Sequence, residues 1–159
     1  MEKERLIAAL DAALRAELAT ARRLARDTAD AANHPEARVD GDKDTRKLEL
    51  SYLAAGQASR AAELEAGLVL LSTLSARTFD AHEPLQAGAL VELDQDGKLQ
   101  RVLLSPAGGG LRLEDERGAI SVVTPQSPFG RALLGRSVGD VVELVVAGQT
   151  RELEIVGVE

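Results

Sequence analysis

Ser127-Pro128-Phe129-Gly130-Arg131-Ala132-Leu133-Leu134-Gly135 is the stretch whose reading decides the fold. It predicts one short helix over Pro128 to Leu134. Ser127 is placed to cap it, Pro128 occupies the first helical position where a missing N–H is harmless, and Gly135 follows the last turn. On either side, Gly and β-branched residues are frequent and apolar runs are short. They predict strands over Ala89–Leu93, Leu99–Leu104, Ala119–Thr124, Val141–Val146 and Glu152–Val158. Asp96-Gly97 is a hairpin turn signal. Gly108-Gly109-Gly110 is a tight loop, since neither Gly-Lys-Ser/Thr nor a long helix follows, as a phosphate loop would require. A small, strongly bent antiparallel sheet around one short helix is expected from residue 87 on.

Upstream the pattern is different. Glu2 to Asn33 contains no Gly or Pro and is dominated by strong helix formers. Ile7, Leu10, Leu14, Ala21, Leu24 and Ala31, with Glu17 and Thr28 as weak members, follow the 3,4 spacing of a narrow coiled-coil seam. His34-Pro35 ends this helix, because proline disfavours helix in the residue before it. After the polar stretch Glu36 to Asp42 a second helix is expected, capped by Asp42 or Asp44. Its seam is Leu50, Leu53, Gln57, Ala61, Leu64, Leu68, Leu71 and Ser75. Two long helices joined by a short loop pair antiparallel. The predicted organisation is therefore α+β: an antiparallel coiled-coil hairpin over 1–78 with its tip at about 34–44, a linker over 79–86, and a small β domain over 87–159.

Composition narrows the function. There is no Cys, so disulfides, thiolate metal sites and Cys nucleophiles are excluded. No apolar run approaches the ~18 residues that span a bilayer, and Met1 leads directly into Glu2-Lys3-Glu4-Arg5, which is no signal peptide. A cytoplasmic protein without a membrane role is expected. The net charge is −7, with 12 basic and 13 acidic groups in residues 1–78 against 7 and 13 in 79–159. That balance argues against DNA binding. A local basic cluster, Arg15, Arg22, Arg23 and Arg26, reads as a solvated helix face or as a contact for an acidic partner. His34 and His82 are far apart and have no ligand-like spacing, so no Ser/His/Asp arrangement can be built on them. The sequence points to a binding protein, not an enzyme.

The run Ser127 to Asp140, preceded by Ile120-Ser121-Val122 and followed by a last strand over Arg151–Val158, resembles the C-terminal domain of the Gre-type (GreA/GreB) transcription elongation factors. Tyr52-Leu53-Ala54-Ala55 resembles the Tyr-x-Ala-Ala run of their second helix, and the helical hairpin agrees with their architecture. The resemblance implies an FKBP-like β domain that docks on bacterial RNA polymerase, with Ser127, Pro128, Phe129 and Arg131 as docking candidates. It also implies a monomer whose hairpin enters the secondary channel of the polymerase. An FKBP-like fold raises prolyl isomerisation as well, but the aromatic pocket that such activity uses is missing, since Phe79 and Phe129 are the only phenylalanines.

In the family members that stimulate transcript cleavage, the tip reads Gly-Asp-Leu-Ser-Glu-Asn-Ala-Glu-Tyr, and its Asp and the Glu three residues later help hold a second Mg²⁺. Two metals activate water and stabilise the leaving oxygen, and carboxylates are the hard ligands this needs. Here, anchoring on Gly41 matches Asp42 but puts Thr45 at the Glu position. Anchoring on Tyr52 gives Thr45 and Leu48. Neither register restores the pair. The tip nevertheless concentrates Asp40, Asp42 and Asp44. Asp42 and Asp44 are the metal candidates, within a polymerase complex only; otherwise one of them caps the helix and the rest are solvated.

Three readings follow. The first is a Gre-like factor that modulates polymerase without efficient cleavage and needs no cofactor of its own. The second is a true cleavage factor sharing Mg²⁺ with the polymerase through its tip aspartates. The third is a coiled-coil interaction or dimerisation protein unrelated to transcription, which would have no reason to concentrate aspartates at the far end of its hairpin.

Overall fold

The computed structural model describes residues 2–34 and 41–159, with positions 41–43 described by backbone only. Two 32-residue helices, α1 (Glu2–Asn33) and α2 (Gly41–Ser72), come first. Strands β1 (Leu90–Gln95), β2 (Lys98–Leu104), β3 (Arg112–Asp115) and β4 (Gly118–Val123) follow, then helix α3 (Pro128–Leu133) and strands β5 (Val141–Val146) and β6 (Gln149–Val158). The chain forms two compact units, one of Met1–Asp11 with Val69–Glu159 and one of Ala12–Leu68.

The Ala12–Leu68 unit is the antiparallel hairpin. Helix α1 buries Leu14, Leu18, Ala21 and Ala32 within it, and α2 buries Ala61, Leu64 and Leu68. Arg22 pairs with Glu65, and Arg60 reaches Glu17 at 3.0 Å, so the helices are also pinned by exposed ion pairs. Such pairs contribute little individually. The seam differs from the expected one in several places. Leu24 is 41% and Leu53 59% exposed and Ala31 is exposed, while Leu18 and Ala32 are buried, Ala54 takes the inward position at Leu53's level, and Ser75 lies beyond the end of α2. The reason is geometric: a helix at 3.6 residues per turn drifts off a strict 3,4 pattern, so neighbouring residues take over the seam.

The other unit is built on a six-stranded sheet of order β3-β4-β2-β1-β6-β5. Four pairings are antiparallel, but β2 and β4 run parallel. The sheet is thus mostly antiparallel, as expected, and its one parallel pairing follows from β3, a strand absent from the expected set. That strand, Arg-Leu-Glu-Asp, has one buried apolar residue (Leu113) and no alternation long enough to read. It pairs β4 antiparallel and so turns the chain round, which brings β4 alongside β2 in the same direction. The Asp96-Gly97 turn has φ 53° and 81°, the left-handed pair that a tight hairpin requires. A register shift at Glu92/Leu93 kinks β1 against β6.

One face of the sheet and α3 enclose the core. Val91, Leu93, Val102, Leu104, Leu153 and Ile155 are buried there with Leu133 of α3. Phe79 and Leu85, in the stretch read as linker, also belong to this cluster. Leu85 is tied in by the backbone: its N–H donates to Arg136 O at 2.7 Å, and its carbonyl accepts from Gly135 N at 2.9 Å. The first turns of α1 belong to the same unit. A Cβ added at Gly108 would meet Leu10 Cδ1 at 2.6 Å, so the glycine loop is where α1 packs against backbone.

Candidate functional site

The predicted docking residues are brought together on α3. Ser127 is its N-cap in extended conformation, with φ −79° and ψ 151°. Its Oγ accepts from Gly130 N at 3.0 Å and donates to Thr124 O at 2.9 Å. One hydroxyl thereby satisfies a free N–H of the helix start and fixes the preceding loop. Gly130 is buried, and a Cβ there would lie 1.9 Å from Thr124 O, so no other residue lets the helix come this close to the loop. Phe129 is partly buried against the core cluster. Pro128 and Arg131 are exposed, and Arg131 Nη1 donates to Gln126 O at 2.9 Å. The result is a corner tied to loop and core that presents Pro128 and Arg131, with Phe129 partly buried between them.

The acidic candidates of the hairpin end are less fully described. Asp40 lies outside the described residues. Helix α2 already begins at Gly41, so Asp42 and Asp44 belong to its first turn, not to its cap, where carboxylates favour the helix dipole. Positions 42 and 44 are two apart, a spacing that does not share a helix face, and Asp44 is exposed. Among the described residues no three His, Cys, Asp or Glu side chains cluster to hold a metal. Of the basic cluster, Arg22 is engaged by Glu65.

A third arrangement was not foreseen. Lys3, within the stretch read only as a helix start, is buried to 3% exposure. Its Nζ donates to Arg77 O at 2.6 Å and to Glu159 O, and lies 4.9 Å from the centre of the Phe79 ring. The Arg77 guanidinium lies 3.9 Å from the same ring and pairs with Glu83 at 2.6 Å. Burial pulls the Lys3 ammonium down to about 8, although the nearby Glu159 pulls the other way. Leu6, Leu10 and Leu14 line the buried side of α1 and Lys3 continues it, whereas Ile7 of the expected seam is only half-buried. Nearby, Arg101 is buried against Asp115 at 2.5 Å. A hydrogen bond that the protonated Glu2 carboxyl donates to Asp115 raises Glu2 above its usual range. Asp115 itself is held below its usual range: burial opposes this, but the Arg101 hydrogen bond and further donors outweigh it.

Residues 90–159 match the family described as "Transcription elongation factor, GreA/GreB, C-term". No curated protein matches the chain. Among solved structures, the chain is similar to the GreA factor homolog 1 (Gfh1) protein of Thermus thermophilus, at 23% identity over 99% of this chain and 94% of that one, with a TM-score of 0.40. The Thermus aquaticus Gfh1 gives 22% identity over 91% and 90%, with a TM-score of 0.40. A prokaryotic transcription elongation factor GreA/GreB from Nitrosomonas europaea gives 19% identity over 62% and 78%, with a TM-score of 0.39. Residues 90–159 are thus similar to the C-terminal domain of that family, and a helical hairpin precedes them in the chain.

Proposed function

We propose that this Gre-type transcription elongation factor homologue binds bacterial RNA polymerase through its C-terminal domain, directs its hairpin into the secondary channel and modulates elongation or initiation without efficient transcript cleavage. The family match over 90–159 carries the reading. The α3 corner supports docking, because Ser127, Gly130 and the core hold Pro128, Phe129 and Arg131 in place before any partner arrives. Preorganised aromatic and Arg side chains make good interface anchors. The weak cleavage follows from the tip. Its acidity is retained, yet the Asp and the Glu three residues later that hold metal in cleavage-stimulating relatives are not restored in either register. In this role the chain is not itself an enzyme and carries no cofactor.

The test is direct. The protein is added to core RNA polymerase and to a backtracked elongation complex with Mg²⁺. Binding that weakens about tenfold, roughly 1.4 kcal/mol, on Phe129→Ala or Arg131→Glu, with RNA elongation altered and no rapid shortening of the transcript, supports the reading. Rapid Mg²⁺-dependent shortening abolished by Asp42→Ala would make the protein a cleavage factor. No binding to polymerase, together with a stable dimer by sedimentation, would leave only the interaction-protein reading.

A further inference from the structure

The sheet has a second face, opposite the core, and only part of it is covered. Leu90, Leu103 and Ile120 are buried there. Toward β5 the same face meets solvent. One row of directly opposed residues crosses four strands: Leu99 opposite Asp94, Asp94 opposite Glu154, and Glu154 opposite Val141. The next rows are Glu143 opposite Glu152 and Val145 opposite Thr150. Opposed residues share a face, and neighbours along a strand alternate. Because Leu93, Ile155, Val142 and Leu153 point into the core, these rows point away from it.

The patch joins two features that a free surface avoids. Leu99, Val141 and Val145 are 67%, 52% and 69% exposed, a group of aliphatics on one face. Asp94, Glu143, Glu152 and Glu154 stand among them without an ion-pair partner among the described residues. Asp94 accepts only the turn N–H of Gly97 at 2.7 Å. Two of these acids face each other directly across each of two strand pairs, an arrangement that is unfavourable in isolation. No Lys or Arg occupies these rows to relieve it.

We infer that this face is a docking surface for a basic amphipathic helix of a partner protein, one whose aliphatic side chains meet Leu99, Val141 and Val145 while Lys or Arg side chains set among them meet the four interspersed carboxylates. Charge complementarity selects the occupant. Nucleic acid and anionic membrane are repelled by the same carboxylates. A second copy stacking this face on its own would set carboxylate against carboxylate. A helix laid across a flat face supplies aliphatics at i, i+3, i+4 and i+7 with cations alongside. The face is distinct from the α3 corner, so the inference stands or falls independently of polymerase binding.

The full chain, ¹⁵N-labelled, is titrated with a synthetic Leu/Lys amphipathic helix, with a Leu/Glu helix and a Ser/Lys peptide of equal positive charge as controls. Amide shifts are expected at Asp94, Leu99, Val141, Glu143, Val145, Glu152 and Glu154. The Leu/Lys helix should bind at least about tenfold more tightly than either control. Both Glu152→Lys/Glu154→Lys and Leu99→Ser/Val145→Ser should remove that advantage while the remaining amide spectrum stays unchanged. Shifts centred on Ser127–Arg131 or on the hairpin would overturn the inference, as would equal binding of the Ser/Lys control or a concentration-dependent dimer that buries Val141 and Val145.

Discussion

The α3 corner and the outer part of the hairpin are both proposed to meet polymerase, but they are held in opposite ways. Around α3, single atoms decide the backbone: one hydroxyl caps the helix, and one missing Cβ permits its approach to Thr124. The hairpin depends on side-chain size. From Ala61 to Leu71, α2 buries a residue at every third or fourth position, whereas from Lys47 to Gln57 the inward positions are only half-buried. There the seam is Lys47, Leu50, Ala54 and Gln57, facing a stretch of α1 between Ala21 and Ala32 that buries nothing fully. Small and polar residues remove little apolar surface from water. A docking corner can be rigid, while the outer helical turns keep little tertiary stability of their own.

The largest effect is expected at Gly130. Gly130→Ala puts a methyl group into the Thr124 carbonyl and should cost about 3 kcal/mol or more, since backbone cannot step aside as a side-chain end can. Chemical denaturation would read this as a lower midpoint, with α3 amides losing exchange protection first. A loss under about 1 kcal/mol would show the corner to be adaptable. Within the hairpin, Leu64→Ala should cost about 2–3 kcal/mol because Leu64 is 3% exposed. Leu53→Ala, at 59% exposed, should stay within about 0.5 kcal/mol. Equal losses would abolish the distinction between inner and outer hairpin.

Lys3 tests the anchored end from the side of charge. Its ammonium titrates at about 8 in the fold, against 10.5 when unfolded. Above pH 8 the folded chain releases this proton while the unfolded chain still holds it. Stability from this group is therefore lowest at neutral pH and rises between about pH 8 and 10.5, by on the order of 3 kcal/mol. Unfolding midpoints measured across that window should climb, and Lys3→Met should flatten the climb. A climb of unchanged size in the variant would assign it to other groups.

Much of this architecture was legible in the chain. Apolar periodicity marked out both helices, and the Ser-Pro…Gly frame marked out α3, because capping and proline placement are local. Val141–Val146 was legible to the residue. What escaped depends on contacts remote in sequence. Strand β3 is a strand only because β4 pairs with it. The buried roles of Phe79 and Leu85 come from a cluster whose other members run from Ala89 to Ile155. Lys3 reads as an ordinary surface charge until Arg77 and Glu159 supply carbonyls for it. The candidate docking residues were legible as a motif, whereas the acidic face across β1, β6 and β5 depends on register, which no local pattern encodes.

The smallest effects compare two helix starts. Ser127→Ala removes the acceptor of the Gly130 N–H and the donor to Thr124 O together, and should cost about 1 kcal/mol. Asp44→Ala removes an exposed first-turn carboxylate, whose favourable interaction with the α2 dipole contributes about 0.3 kcal/mol at low salt. The two should also respond differently to ionic strength. The Ser127 cap is a neutral hydrogen bond in a partly buried loop, so its loss should read the same at 0.05 and at about 1 M salt. The Asp44 effect should vanish at about 1 M, where the screening length falls to ~3 Å. If Asp44→Ala instead costs as much as Ser127→Ala and keeps its cost in salt, the start of α2 is held by a specific contact, and the contrast between a fixed corner and a lightly held hairpin end fails where it matters most.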